Sequence, residues 1–280
     1  MTPVILVSTC GTKQLTVNVE GIDSEQYQKV SDFLGTALEQ QKIQAYIGVS
    51  KAMQLAIELC PKANPADLWV HLIYHQFRTR YKKIDQSWKR VSGQALEHVI
   101  MSIYNPRLNP KGINIRFSRT SDAKLLGLVE QGLGSSKTDL VLEAGPKNDP
   151  KTFGVIHVKS SIAERLTDDA PASSALIKQG YWSSVVTMDG KMFPPPHGDG
   201  VVYGELGQTK AGDKRRYFEV AGQFSGCYSF NLRTPPSPAK TQSGSRIYAL
   251  SFSEPQPDVL VTDIENAWQK FQKIKLAGKP

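Results

Sequence analysis

The chain is 280 residues long, 40% hydrophobic and 9% aromatic: enough apolar material for a substantial core, and too much for a disordered polymer. Thirty-four Lys and Arg against 26 Asp and Glu leave a net charge of +8, which suits a polyanionic partner but equally an ordinary basic surface. Cys10, Cys60 and Cys227 fit no zinc or redox spacing and favour a reducing cytoplasm; no signal peptide follows Met1, and no apolar run is long enough to cross a membrane.

In chain order, the first hundred residues read mainly as helices. Ser24 to Gln41 places Tyr27, Val30, Phe33, Leu34 and Leu38 at helical spacing. Ser50 is expected to cap a second helix carrying Met53, Leu55, Ile57 and Leu59, ended by Pro61. Asn64-Pro65-Ala66-Asp67 is a helix start signal with Asn at the cap and Pro in the first turn. The helix it opens has a basic tail: residues 76–90 hold six basic residues against Asp85 alone. Ser92 is expected to cap a fourth helix through Leu96, Val99, Ile100 and Ile103, closed by Pro106.

After Pro110 the pattern turns to strands. Ile113-Asn114-Ile115-Arg116-Phe117 alternates with period two, and Thr138 to Glu143 and Phe153 to Lys159 are two further strands joined by a turn-rich segment. A helical patch and a short strand at Val185 to Met188 follow, then strands over Val201 to Leu206, Tyr217 to Val220 and Arg246 to Phe252. Phe193-Pro194-Pro195-Pro196-His197-Gly198 and Thr234-Pro235-Pro236-Ser237-Pro238 read as loops. Thr262-Asp263-Ile264-Glu265 resembles a capping box for a terminal helix running to about Ile274. No repeat or linker divides the chain, so one α/β domain is expected over residues 1–280, mainly helical over 1–110, with the catalytic sheet and recognition part over 111–280.

The two central strands carry the chemistry. If Glu143 faces Val155 in an antiparallel hairpin, Asp139 faces Lys159. Leu140, Leu142, Ile156 and Val158 then share a core face, while Asp139, Val141, Glu143, Val155, His157 and Lys159 share the other. A carboxylate at that strand end can hold Mg²⁺ through hard oxygen ligands, and the ion polarises a phosphoryl oxygen and acidifies a water. The lysine can orient or deprotonate that water and offset transition-state charge. A second carboxylate is needed. Glu97, an acid in a largely apolar helix, and Glu143, further along the same strand face, are the candidates. The same Asp–Lys pair is also what an ordinary surface salt bridge looks like.

Thr138-Asp139-Leu140-Val141-Leu142-Glu143, a turn, then Ile156-His157-Val158-Lys159 resembles the PD-(D/E)xK nuclease core. The run from Ser160 to Ser173, with the blocks Ala63–Trp69, Gln86–Gly93, Phe193–Asp199 and Asn231–Ser237, is similar to type II restriction endonucleases that recognise CCGG-containing sites, especially the group cutting A-CCGG-T. The resemblance stretches from near residue 24 to near residue 252. It implies a mixed central β-sheet flanked by helices, with Asp139 as principal metal ligand, Lys159 as catalytic lysine and Glu97 as the second carboxylate. Two departures stand out: Thr138 replaces the motif's proline, and His157 stands where its second acid belongs, so a carboxylate from elsewhere is required. Neutral imidazole is a poor Mg²⁺ ligand, which makes His157 a structural or phosphate-facing residue.

Glu164 and Arg165, at a helix entry just after Lys159, suit a C:G step: Arg reads guanine O6 and N7, and Glu accepts from cytosine N4. The family uses such an acid–Arg pair for its C:G pairs. Arg90 can contact bases or phosphates, and Lys137, Lys214, Arg215 and Arg216 are phosphate contacts or plain surface charges. The reading is a Mg²⁺-dependent endonuclease cutting double-stranded DNA at a palindromic CCGG site to leave 5′-phosphate ends, with a two-fold homodimer as the simplest reader of a palindrome. The alternatives are a CCNGG enzyme, a structure-selective repair or recombination nuclease of the same core, and a DNA-binding protein with a decayed core, which His157 keeps open.

Overall fold

The computed structural model describes residues 4–10, 13–39, 44–80, 85–133, 138–162, 165–190, 204–207, 213–252 and 258–276. Ahead of the first expected helix the chain forms two strands that the sequence reading did not name: Val4–Cys10 (β1) and Lys13–Val19 (β2) pair antiparallel, Val4 against Val19, as a sheet of their own. Helices Ser24–Glu39 (α1) and Ala45–Leu59 (α2) follow. The second starts earlier than expected. Ser50 lies inside it and its hydroxyl donates back to the Ile47 carbonyl, so it is no cap. At Asn64 the start signal works as read: its Oδ1 accepts from the Ala66 N–H. From there Pro65–Asp67 (α3), a π-helical stretch Leu68–Tyr74 and His75–Arg80 (α4) run on.

Asp85–Leu108 (α5) is one long helix in which Ser92 and Pro106 are both internal, so neither bounds it. The Ser92 hydroxyl bonds the Lys89 carbonyl within the turn. Leu96, Val99, Ile100, Tyr104 and Leu108 are wholly buried on its inner face, each side chain stabilising the fold by about 1.5–3 kcal/mol.

Among the described residues the central sheet has six strands in chain order: Ile113–Phe117 (β3), Leu140–Ala144 (β4), Lys151–Lys159 (β5), Trp182–Thr187 (β6), Cys227–Ser229 (β7) and Ile247–Ala249 (β8). The first two pairings are antiparallel and the next three parallel, so the sheet is mixed. Alternation sends Ile156, Val158, Val186 and Tyr228 into the core shared with α5 and the last helix. Val155 and Val185 face the helix Arg165–Lys178 (α7), with Cys227 and Ile247 on the same side. A short helix, Asp122–Leu125 (α6), lies between β3 and β4.

The hairpin register differs from the expected one by two residues. Leu140 pairs with Ile156 and Leu142 with Gly154, and a bulge then shifts Glu143 onto Thr152. A two-residue slip keeps every side chain on its face, so hydrophobic alternation alone does not exclude it. Gly154 is required where it stands: a Cβ there would come within 2.8 Å of the Trp182 carbonyl oxygen on the neighbouring strand.

One expected strand is a helix, and the described end of another, residues 204–206, is not in a strand. Residues 213–219 form a helix, Asp213–Glu219 (α8), closed by an Arg215–Glu219 pair one turn apart, and it contains most of the Tyr217 to Val220 segment. Of Val201 to Leu206, residues 201–203 lie outside the described residues. The N–H groups of Glu205 and Leu206 donate to Asp189 Oδ1 and not to a sheet. Asp189 follows β6 with φ of +45°, is fully buried, and also accepts from the Thr234 hydroxyl; burial pushes its carboxyl up to about 7. The last helix, Val259–Phe271 (α9), continues as a π-helical stretch to Leu276. Its cap is Asp258, four residues before the expected Thr262, with Oδ1 accepting from the Leu260 and Val261 N–H groups. Arg107 and Tyr104 bind the other oxygen, Oδ2, tying the last helix to α5.

Candidate active site

Lys159 ends β5, at the carboxyl edge of the parallel strands, where open α/β sheets place their ligands. Asp139 stands one residue before β4. In the observed register it falls opposite His157, and its carboxylate reaches Lys159 on the diagonal. Oδ2 accepts from the Lys159 ammonium at 3.0 Å and from the Val158 backbone N–H at 2.8 Å. Thr138, in place of the motif's proline, pairs its hydroxyl with that of Ser118 at 2.7 Å.

A third charged residue completes the contact. Asp169, on α7, brings Oδ2 to 2.8 Å from Lys159 Nζ and 3.4 Å from His157 Nδ1. The ammonium is thus held between two aspartates and is 6% exposed. Burial opposes its charge, but Asp139 and Asp169 outweigh burial and hold its pKa above the ordinary lysine value. Burial likewise pushes Asp169 up, and the His157 and Lys159 neighbours override it to leave the carboxyl below its usual range. Asp169 went unassigned in the sequence. The signal was there: Leu166, Asp169, Ala170 and Ser173 form one buried helical stripe, and Asp169 is the acid in it.

Glu97 projects from α5 toward the same cluster. Burial first, then the charge of Asp139, raises its carboxyl to about 8, with Lys159 pulling the other way. Glu143, the other candidate, is taken up elsewhere: Arg116 Nη2 lies 2.6 Å from its Oε1, and the same guanidinium binds Asp122. His157 is fully buried; its Nε2 lies 3.2 Å from the Ser183 hydroxyl.

Among the described residues, no group of three His, Cys, Asp or Glu side chains forms a ready-made metal cage. The donor set nevertheless fits a hard cation that keeps several waters and takes further ligands from phosphate, as Mg²⁺ does.

The expected DNA contacts divide. Arg90 is exposed on α5. Lys214 is half-buried with Nζ 3.8 Å from Glu205 Oε2. Arg215 is a correction: it is 2% exposed, donating to Glu219 at 2.6 Å and to the Pro235 carbonyl at 2.9 Å, so its charge is used inside the fold and not on a phosphate. Arg165 opens α7, but its side chain, like Lys137 and Glu164 entirely, lies outside the described residues. Among the described residues no helix is long and apolar enough to cross a membrane.

A family model described as BsaWI restriction endonuclease type 2 matches residues 119–256, the span carrying Asp139, Lys159 and Asp169. The type II restriction enzyme AgeI of Thalassovita gelatinovora is 41% identical over 250 residues, spanning 85% of this chain and 90% of that protein. The crystal structure of a specific AgeI–DNA complex superposes with a TM-score of 0.86 at 36% identity, covering 94% of this chain and 99% of the other. The fold, a mixed sheet flanked by helices, is thus shared with an enzyme solved on DNA. The chain belongs to the type II restriction endonucleases and is a site-specific deoxyribonuclease with their fold.

Proposed function

We propose that this endonuclease is Mg²⁺-dependent and cuts a palindromic CCGG-containing site, A-CCGG-T above all, leaving 5′-phosphate ends. In this reading a single domain works in the cytoplasm and pairs as a homodimer on double-stranded DNA. The observation that carries the chemistry is the Lys159 ammonium clamped between Asp139 and Asp169, with Glu97 in electrostatic reach. Asp139 and Glu97 are the carboxylates that would hold the cation. When bound, it supplies Lewis acidity at a phosphoryl oxygen and a lowered water pKa. Lys159, kept as a cation by its two aspartates, orients the attacking water and offsets charge as phosphorus becomes five-coordinate. Water attacks in line and the 3′ oxygen leaves. Glu164 and Arg165, at the entry to α7, are the readers of the C:G pairs, with Arg90, Lys137 and Lys214 on the backbone.

Incubating a sequenced plasmid with the protein and Mg²⁺, then sequencing the ends, tests this. Discrete cuts at CCGG with 5′ phosphates are expected. Cuts at CCNGG or at structural junctions, or no cutting with Mg²⁺ present, would overturn the specificity or the cofactor.

A further inference from the structure

We infer that His157 is a positioning residue of the active site: through Asp169 it fixes where Lys159 presents its ammonium. The inference rests on the active site proposed above.

The imidazole is wholly buried from solvent, yet both ring nitrogens face polar atoms. Nε2 is 3.2 Å from Ser183 Oγ, and Ser183 Oγ is 2.7 Å from Ser173 Oγ. On the other side Nδ1 faces Asp169 Oδ2 at 3.4 Å. The Ser173 hydroxyl can donate to Ser183 and Ser183 to Nε2, which puts the ring proton on Nδ1; that nitrogen and Asp169 Oδ2 lie 3.4 Å apart, both buried and without a formed hydrogen bond between them. A ring nitrogen's tautomer is set by what the opposite nitrogen accepts, so the two serines leave the N–H on the Asp169 side of the ring.

The route closes on itself. Ser173 and Asp169 lie one turn apart on α7, Ser183 is on β6 and His157 on β5. The circuit leaves the helix, crosses two strands and returns to the helix at the carboxylate that holds Lys159. Phe224 meets the imidazole edge to face, with centroids 5.6 Å apart and planes at 83°, which fixes the ring plane. The 3.4 Å separation is long for a formed hydrogen bond and of the kind that shortens when a site is loaded. Without the imidazole N–H, Asp169 is held by Lys159 alone, and the pair is free to swing together toward Asp139.

The test compares His157→Phe, His157→Asn and His157→Gln with the wild type and with Asp139→Ala. Asn carries an amide near the Nδ1 position, facing Asp169; Gln carries one near Nε2, facing Ser183. Single-turnover cleavage is read beside DNA affinity without divalent metal and beside melting temperature. We expect His157→Phe to cleave about 10–100-fold more slowly with DNA affinity within about twofold, and Asn to recover more of the rate than Gln. A structural role alone makes rate follow melting temperature, with the smaller Asn the poorest. That ranking, or near wild-type cleavage by His157→Phe, would overturn the inference. If His157→Phe does not fold, the Asn-to-Gln order decides. An active Asp139→Ala protein would instead show that the active site itself is misassigned.

Discussion

The backbone N–H of Val158 donates to Asp139 Oδ2 at 2.8 Å, the same oxygen that accepts from Lys159 at 3.0 Å. The carboxylate is therefore anchored by the strand that carries the lysine, and in the proposed function Asp139 has a structural and a chemical task on one atom. The two can be separated. Asp139→Asn can keep the amide oxygen on the Val158 N–H while losing the charge. Asp139→Ala also leaves a buried N–H without a partner, at about 1–3 kcal/mol. Both should slow cleavage by at least about 10²–10³-fold while largely keeping DNA binding, because the lost interaction acts on the transition state. Only Asp139→Ala should lower the melting temperature clearly. Cleavage by either variant near the wild-type rate would remove Asp139 from the site.

Glu97 ties activity to stability in opposite senses. Its folded pKa of about 8 lies above the ordinary value of 4.5, so the folded state binds the proton more tightly. That favourable term is full below about 4.5 and is lost as pH rises toward 8. Asp189, raised to about 7, acts in the same sense but is spent earlier. Between pH 7 and 8.5 in EDTA the wild type should therefore lose melting temperature more steeply than Glu97→Gln. The variant should be the more stable of the two at pH 8.5 and poor at cleavage. Equal slopes in thermal melts across that window would show that neither burial nor the Asp139 charge raises the Glu97 carboxyl.

How far the sequence carried this site follows from what local patterns encode. The two faces of the β4–β5 hairpin were legible because alternation distinguishes odd from even positions. The register was not, because a slip by two preserves that parity and the bulge near Phe153 leaves no simple periodic mark. Asp139 and Lys159 still meet, since a carboxylate reaches along the diagonal as well as straight across. Asp169 was missed because its part depends on where α7 begins and how it lies on β5, which is a tertiary fact. The β1–β2 pair was missed because a short two-stranded unit adds little to a region dominated by helical spacing. Arg215 was misread for the opposite reason: in Lys214-Arg215-Arg216 the three charges look alike, and only the fold turns the middle one inward.

Arg215 gives a prediction that separates structure from binding. Its guanidinium bridges Glu219 and the Pro235 carbonyl while 2% exposed. Removing one partner of a buried, hydrogen-bonded ion pair leaves the other charge uncompensated, at about 3–5 kcal/mol. Arg215→Ala should lower the melting temperature by about 6–20 °C at about 2–4 °C per kcal/mol. The fraction that remains folded should bind DNA with an unchanged salt slope. A stable Arg215→Ala protein with a shallower salt slope would return Arg215 to the phosphate contacts.

The proposed function puts base reading at the entry of α7, which Arg165 opens only six residues after Lys159. A reader there can sit close to the bond being cut without joining the carboxylate cluster. Losing a bidentate arginine–guanine contact costs about 1–3 kcal/mol of discrimination per base pair. A two-fold dimer uses the residue twice, so Arg165→Ala should weaken a CCGG duplex about 10²-fold or more relative to a scrambled one. Lys214, loosely paired with Glu205 at 3.8 Å, can turn to a phosphate. Lys214→Ala should weaken both duplexes alike and lower the salt slope by about one per site. Competition binding over a salt series measures both effects. If Arg165→Ala weakened the two duplexes equally, its guanidinium would be a backbone clamp, and base reading would have to come from another part of the chain.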